Sequence, residues 1–236
     1  MNPTALIIRA PGTNRDHDVA HALSLAGAST TSLSLSSLCA QPKVLDDVQI
    51  VVLAGGFSYA DALGAGALAG LQLDRSAGDG LRKFVASGRP ILGICNGFQM
   101  LVRSGLLPGS LSRNEAGNFV CAWVTLEAPS TSRSIWTSSL EGPIECPVAH
   151  GEGRYLASDE VVGSHTALRY VNQTNPNGSS GDVAGVTDES GLILGLMPHP
   201  ENHVLERQHP RWHRREQQGL ARSLFDAGVA HIRARG

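Results

Sequence analysis

Arg89-Pro90-Ile91-Leu92-Gly93-Ile94-Cys95-Asn96-Gly97-Phe98-Gln99 reads as strand, turn and helix. An apolar strand ends in a cysteine with a glycine two residues to either side, the cysteine form of the strained turn that lifts a nucleophile above a parallel sheet. So sharp a reversal crowds neighbouring Cβ atoms and can demand unusual backbone angles, both of which glycine tolerates. A helix starting at Asn96 would aim its free N–H groups and positive dipole end at the sulfur, a setting that suits a nucleophile. Cys95 is the candidate nucleophile. A small residue buried at a strand end would read the same way, so a base has to be found.

The base is at Gly195-Leu196-Met197-Pro198-His199-Pro200-Glu201, directly after a second apolar run. Prolines on both sides of His199 exclude a regular helix and favour extended chain. Period-two alternation then puts His199 and Glu201 on one side, where the carboxylate orients the imidazole. Such a histidine accepts a thiol proton and later protonates a leaving amine, while the glutamate fixes its tautomer. A third feature completes the chemistry. The Gly55-Gly56-Phe57 turn ends the apolar run Gln49 to Leu53, and its backbone N–H can face an oxyanion together with that of Asn96. Gly56 and Asn96 are the oxyanion candidates. His150, in the glycine-rich stretch with Glu152 and Arg154, is read as a structural or binding residue lining the pocket.

The remaining pattern is that of an α/β chain: a mostly parallel, flavodoxin-like central sheet flanked by helices, with an antiparallel extension. Thr4 to Ala10 is a first strand; Asn14 is placed to cap a helix with Val19, Leu23 and Ala26 inward and Gly27 as its stop. Strands follow at Thr30 to Leu35 and Gln49 to Leu53, and a helix at Asp79 to Ser87 with Leu81, Phe84 and Val85 inward. Asn96 to Arg103 is the elbow helix. After Pro108 shorter alternating runs predict strands at Asn118 to Glu127, Glu145 to His150, His165 to Val171, Asp182 to Thr187 and Leu192 to Met197. The last two are joined by the hairpin signal Asp188-Glu189-Ser190-Gly191, and Ala128 to Ser139 reads as an exposed polar loop.

Composition agrees with one domain spanning residues 1–236, since 42% hydrophobic content over this length can bury a full core. The net charge of −2 gives no argument for nucleic acid or membrane surfaces as partners. The four cysteines lack C-x-x-C spacing, and no basic leader or bilayer-length apolar run is present, so a cytoplasmic enzyme with free thiols is expected. The sequons at Asn172 and Asn177 are then coincidental. His209 and His213 have i, i+4 spacing without a convincing third ligand, and Arg211-Trp212-His213-Arg214-Arg215 reads as a solvated helix start or a docking face.

The elbow Gly93-Ile94-Cys95-Asn96-Gly97-Phe98-Gln99 with Pro198-His199-Pro200-Glu201 downstream resembles the class I, triad-type glutamine amidotransferases. Pro11-Gly12-Thr13-Asn14, Gly55-Gly56-Phe57-Ser58-Tyr59, Asp61 with Leu63-Gly64-Ala65-Gly66-Ala67, Ala149-His150-Gly151-Glu152-Gly153-Arg154-Tyr155 and Asn175-Pro176-Asn177-Gly178-Ser179 narrow it. Together they are similar to the glutaminase subunits of phosphoribosylformylglycinamidine synthases. The resemblance runs in order to about residue 203. It implies a Cys95, His199, Glu201 triad, with Gly56, Phe57, Asn96, Gln99 and His150 as oxyanion or substrate-binding residues. It also implies L-glutamine as substrate, no cofactor in this chain and, for partners, a large synthetase subunit with a small accessory subunit. ATP and Mg2+ would belong to the partner synthetase; this chain has no G-x-x-x-x-G-K-[ST] run. Arg15, Ala60, Ala122 and Asn202 depart from the family pattern, and glycine is usual at the position of Ala60. The alternatives are a triad glutaminase serving another acceptor, a γ-glutamyl hydrolase that needs no partner, and a noncatalytic module of the same fold.

Overall fold

The structure, a computed structural model, describes residues 2–214 and 219–235. The first half of the chain alternates strand and helix: β1 (Thr4–Arg9), α1 (Asp16–Leu25), β2 (Ser29–Ser34), α2 (Leu35–Ala40), β3 (Ile50–Leu53), α3 (Ala67–Ala86), β4 (Ile91–Ile94) and α4 (Asn96–Arg103). The second half is richer in strands: β5 (Ser110–Ser112), β6 (Val120–Glu127), β7 (Ile144–His150), β8 (Arg154–Leu156), α5 (Asp159–His165), β9 (Thr166–Tyr170), β10 (Val183–Thr187), β11 (Ile193–Leu196), β12 (Gly219–Leu220) and α6 (Arg222–Arg233).

One sheet carries ten of these strands in the order β12-β7-β6-β9-β10-β11-β4-β3-β1-β2. The block β2-β1-β3-β4-β11 is parallel throughout, the arrangement of a flavodoxin-like wound sheet. From β11 outward the pairings with β10, β9, β6 and β7 are antiparallel, and β12 closes the edge parallel to β7. The side chains explain the change. All four residues of β3 and of β4 are buried, as strands covered on both faces require. Strand β7 instead alternates buried and half-buried positions along its length, the signature of a sheet with one face on the core.

Several elements differ from the sequence reading. Asn14 does not cap α1: Arg15 holds the N-cap position without a side-chain bond, and Asp16 and Asp18 complement the dipole from the first turn. Asn14 instead donates its backbone N–H to Gly55 O at 3.3 Å, tying the first loop to the turn after β3. Leu35 belongs to α2, because the Ser34 hydroxyl accepts from the Ser37 N–H at 3.0 Å and ends the strand by capping a helix. The helix expected at Asp79 begins at Ala67. Glycines disfavour its early turns, yet a Cβ on Gly70 would lie 2.5 Å from that of Arg103, so they permit the close approach of α3 to α4.

Ala128 to Ser139 is not simply an exposed loop. A single turn at Ile135–Thr137 drives Trp136 into the core, fully buried, where its indole N–H donates to Leu192 O at 2.9 Å. The ring lies on α6, which the sequence did not disclose, against Gly228, where any Cβ would sit 2.3 Å from Cζ3. Serine and threonine on either side mask this anchor in the composition. His209 and His213 do not share a helix face. His209 is buried edge-on against Trp123, with ring centroids 4.4 Å apart, and His213 is exposed. The basic run becomes a short turn at Trp212–Arg214, and its last member, Arg215, lies outside the described residues.

Trp136→Ala should lower unfolding free energy by about 3–5 kcal/mol in a denaturant titration, through lost burial and an unpaired Leu192 carbonyl. A change within about 0.5 kcal/mol, the usual range of surface substitutions, would restore the exposed-loop reading.

Candidate active site

Cys95 terminates β4 with φ 50° and ψ −104°, outside the usual wells for a side-chain-bearing residue. Such a residue costs about 1–3 kcal/mol and is held only when its surroundings over-determine it. Its N–H donates to Leu196 O at 2.8 Å, fixing the turn to the end of β11. The sequence reading expected unusual angles at the flanking glycines. Those glycines lack left-handed torsions, and the strain sits on the cysteine itself. What they provide is room: a Cβ would lie 2.4 Å from Leu101 Cδ1 at Gly93 and 2.0 Å from Leu53 O at Gly97.

His199 leaves β11 with its N–H on Pro147 O at 2.8 Å, and both its ring and the Glu201 carboxylate are buried. Nδ1 of His199 and Oε1 of Glu201 are 2.7 Å apart. The two face each other through a one-turn 3-10 helix at Pro200–Asn202 rather than by alternation along extended chain, because Pro200 is pre-set for a first helical position. The other side of the imidazole packs against Gly55 and faces Cys95, whose Sγ lies 3.9 Å from Ala149 O. Burial alone would discharge this ring. The Glu201 charge, then the nearby Cys95 and the hydrogen bond to Glu201, outweigh burial and hold the imidazole up at about 10. It is therefore an imidazolium at neutral pH, with Nδ1–H donated to Glu201.

In front of Cys95 lies a cavity of about 230 Å3, small enough for an amino acid rather than a drug-sized ligand. Gly56, Phe57, Cys95, Gln99 and His150 line it, and His199 and Glu201 stand outside the lining. Gly56 has φ 151° and forms an antiparallel bridge with Thr13 whose donors are the Asn14 and Phe57 amides, not its own. Phe57 and Phe119 stack at 6.4 Å as a half-exposed rim. The Asn96 side chain accepts from the Ser58 N–H at 3.1 Å and donates to Gln99 Oε1 at 2.9 Å. Gln99 Nε2 in turn donates to Glu152 O at 2.7 Å. Both side-chain amides thus brace the walls. A larger cavity of about 850 Å3, lined by Glu141, Glu145 and Asp226 among others, includes none of these groups.

His150 is held from both ring nitrogens. Its Nδ1 lies 3.1 Å from Asn114 Oδ1, and Nε2 lies 3.5 Å from Asn177 Nδ2. Asn114 Nδ2 donates to the Asn118 and His150 carbonyls, both at 2.9 Å, which makes its Oδ1 the acceptor toward the ring. Burial and then the neighbouring His199 charge push His150 down to about 4. It is a neutral Nδ1–H tautomer and no competitor for the acid-base role. Asn114 and Asn177 were missed as contributors. Asn177 stands in the Asn175 to Ser179 stretch that carries the resemblance, but no role was read for it, and nothing in the sequence around Asn114 marks it.

The loop from Phe57 to Gly66 carries Tyr59, Ala60, Asp61 and Leu63 at φ 54°, 54°, 53° and 64°. Ala60 therefore adopts the left-handed backbone that glycine accepts without strain. Of the other departures, Arg15 pairs with Asp18 at 3.2 Å, Ala122 is exposed on β6, and Asn202 leaves Oδ1 buried without a hydrogen-bond partner. Among the described residues no group of three or more His, Cys, Asp and Glu side chains is placed to hold a metal, and no helix is long and apolar enough to cross a membrane.

Two outcomes follow. Ala60→Gly should stabilise the fold by about 1 kcal/mol in equilibrium unfolding, by relieving left-handed strain. Glu201→Gln should lower the His199 imidazole pKa from about 10 in a 15N-NMR titration, since the largest influence opposing burial is then removed. The stability that wild type draws from this pair is present below the free histidine value of 6.5 and fades as pH rises through about 10. The Glu201→Gln deficit should therefore be largest at neutral and mildly acid pH and shrink above pH 10. An unmoved imidazole would overturn the ion-pair account.

A profile for the CobB/CobQ-like glutamine amidotransferase domain matches residues 2–232. The phosphoribosylformylglycinamidine synthase subunit PurQ of Treponema denticola is 41% identical, covering 98% of this chain and all of that one. The PurQ subunit of Thermotoga maritima is 40% identical over 87% of this chain and 91% of its own. Among solved structures, that of PurLQS from Thermotoga maritima superimposes with a TM-score of 0.82 at 35% identity, over 98% of this chain and all of that one. At 20% identity a further glutamine amidotransferase from Thermotoga maritima shares the fold, with a TM-score of 0.53 over 90% of this chain and 81% of that one. With a strained cysteine elbow, a buried imidazolium–carboxylate pair and full-length similarity of this order, the chain belongs to the glutamine amidotransferases, in the group formed by the PurQ subunits of phosphoribosylformylglycinamidine synthase.

Proposed function

We propose that this chain is the glutaminase subunit of a phosphoribosylformylglycinamidine synthase, one domain that hydrolyses L-glutamine to glutamate and hands the ammonia to a synthetase. The observation that carries this reading is the buried His199–Glu201 pair, 2.7 Å between Nδ1 and Oε1, with its imidazole close enough to a strained Cys95 to feel its charge. A charged imidazole beside a sulfur is the resting arrangement of a cysteine nucleophile with its base.

The chemistry runs in two halves. Cys95 sulfur attacks the carboxamide carbon, and the negative charge that develops on the carbonyl oxygen is received by the N–H groups of Gly56 and Asn96. The His199 imidazolium gives its proton to the departing nitrogen, ammonia leaves, and a γ-glutamyl thioester remains. Water then attacks the thioester carbon while neutral His199 takes its proton, and collapse of the intermediate releases glutamate and the sulfur. Glu201 keeps the ring oriented throughout. Phe57, Gln99 and His150 shape the pocket.

Ammonia is ammonium for the most part at neutral pH and a poor nucleophile, so it must pass to a second site without meeting water. That site converts formylglycinamide ribonucleotide to formylglycinamidine ribonucleotide in de novo purine synthesis. It belongs to a large synthetase subunit, with a small accessory subunit in the same complex, as PurL and PurS stand beside PurQ in the Thermotoga maritima assembly. ATP and Mg2+ act in that partner, this chain needs no cofactor of its own, and the assembly is cytoplasmic.

Glutamate release by the purified chain, alone and with its synthetase, tests chemistry and coupling together. Release should rise on assembly, and Cys95→Ala should reduce it at least about 1,000-fold. A diazo-ketone glutamine mimic should add mass on Cys95 and nowhere in a folded Cys95→Ala protein. Equal turnover with and without synthetase points to a stand-alone γ-glutamyl hydrolase, and labelling at other residues points to a noncatalytic module.

A further inference from the structure

We infer that Asp61 selects the amino-acid end of the substrate, its carboxylate receiving the α-ammonium group beside Glu152 while the carboxamide lies at Cys95. The inference rests on the glutaminase reading and adds the group that distinguishes glutamine from a simple amide. The cavity in front of Cys95 has Asp61, Glu152 and Arg113 in its lining as well. Nothing in the acyl-transfer chemistry uses these three.

Asp61 is half-buried on the cavity wall, and one of its oxygens, Oδ1, is buried without a hydrogen-bond partner. An acceptor left so costs about 1–3 kcal/mol, and more when it is charged. Glu152 differs, because its Oε2 accepts the Ala65 N–H at 3.0 Å. Burial first, and then the Glu152 charge, raise the Asp61 pKa from its ordinary value. Two carboxylates at the wall of one small cavity repel each other, and a cation between them relieves both. The cation this reaction brings is the substrate's ammonium, with three N–H donors and a positive charge. Arg113 supplies the opposite sign: its guanidinium, on the same cavity and exposed at its edge, suits an α-carboxylate.

The backbone favours the same conclusion. Asp61 is the last of three consecutive left-handed residues, Tyr59, Ala60 and Asp61, none of them glycine. That strain persists because the loop is tied down: Tyr59 O–H donates to Gln72 Oε1 at 2.7 Å and the Ser58 N–H to Asn96 Oδ1 at 3.1 Å. A surface loop without a task would relax.

The test compares glutamine with glutaramate, which is glutamine without its α-amino group, in the chain assembled with its synthetase. Asp61→Asn should raise KM for glutamine at least about 20-fold with kcat within about threefold, since a lost bond to a charged group acts on binding. KM for glutaramate should stay within about threefold of wild type, because that substrate never made the contact. Iodoacetamide, which lacks an amino-acid end, should alkylate Cys95 at the wild-type rate in the variant chain, whereas the diazo-ketone mimic should react more slowly. Equal losses on both substrates would make Asp61 a structural residue and overturn the inference, as would an unchanged KM for glutamine. Should Asp61→Asn fail to fold, Asp61→Glu, which retains the charge, must keep the preference for glutamine over glutaramate. A wild-type complex that does not consume glutamine at all would instead overturn the glutaminase reading.

Discussion

Everything at this site depends on keeping a positive charge where water has been removed. Taking an imidazolium out of water is costly, and burial by itself drives a histidine neutral, as it does at His150. His199 is equally buried and yet charged, and the difference is Glu201 at 2.7 Å. A buried ion pair rarely repays its desolvation in stability alone. In the proposed mechanism its return is chemical: an acid that already carries its proton beside the sulfur before substrate arrives. The His150 network is the converse device. Burial and the His199 charge keep His150 neutral, while Asn114 and Asn177 hold that ring through both nitrogens.

The pair can be so exacting only because the scaffold beneath it is. Cys95 ends β4, His199 follows β11 and Gly55-Gly56 follow β3, three adjacent parallel strands whose carboxyl ends meet at one edge. Ligands of open α/β sheets bind outside those ends. Close approach sets the tolerances. A Cβ on Gly97 would collide with Leu53 O at 2.0 Å, and one on Gly55 would meet His199 Cε1 at 2.9 Å. Glycine at these positions is a packing requirement before it is a conformational one. Cys95 itself carries the unusual torsion.

What could be read from the chain and what could not divide along the range of the interactions. The elbow, the His199-Pro-Glu201 pair and the buried parallel strands carry local signatures, because a nucleophile turn, an orienting carboxylate and a two-faced strand each impose residue types on near neighbours. The start of α3 did not, since Gly70 is a poor helix residue until α4 is packed on it. Trp136 likewise sat inside a serine and threonine stretch, and only Leu192 and Gly228, distant in sequence, give it a place. Asp61 and Asn177 stand in stretches that carry the resemblance, yet their contacts, like those of Asn114, were hidden for a related reason. Whether a polar side chain is satisfied, and by what, is a property of the folded interior.

The walls of the pocket are held differently from its base. Ser58 N–H, Asn96, Gln99 and the Glu152 carbonyl form one chain of hydrogen bonds, and the Glu152 carboxylate returns to the Ala65 N–H. This links the strained 57–66 loop, the first turn of α4 and the 150–153 loop to one another. None of its members carries the charge on which the proposed triad depends. Loosening the walls would therefore disturb how substrate is seated while the His199–Glu201 pair stays intact. Losing Glu201 would discharge the base while the walls stand. In the proposed mechanism, binding and proton transfer thus draw largely on different interactions, which converge around Cys95.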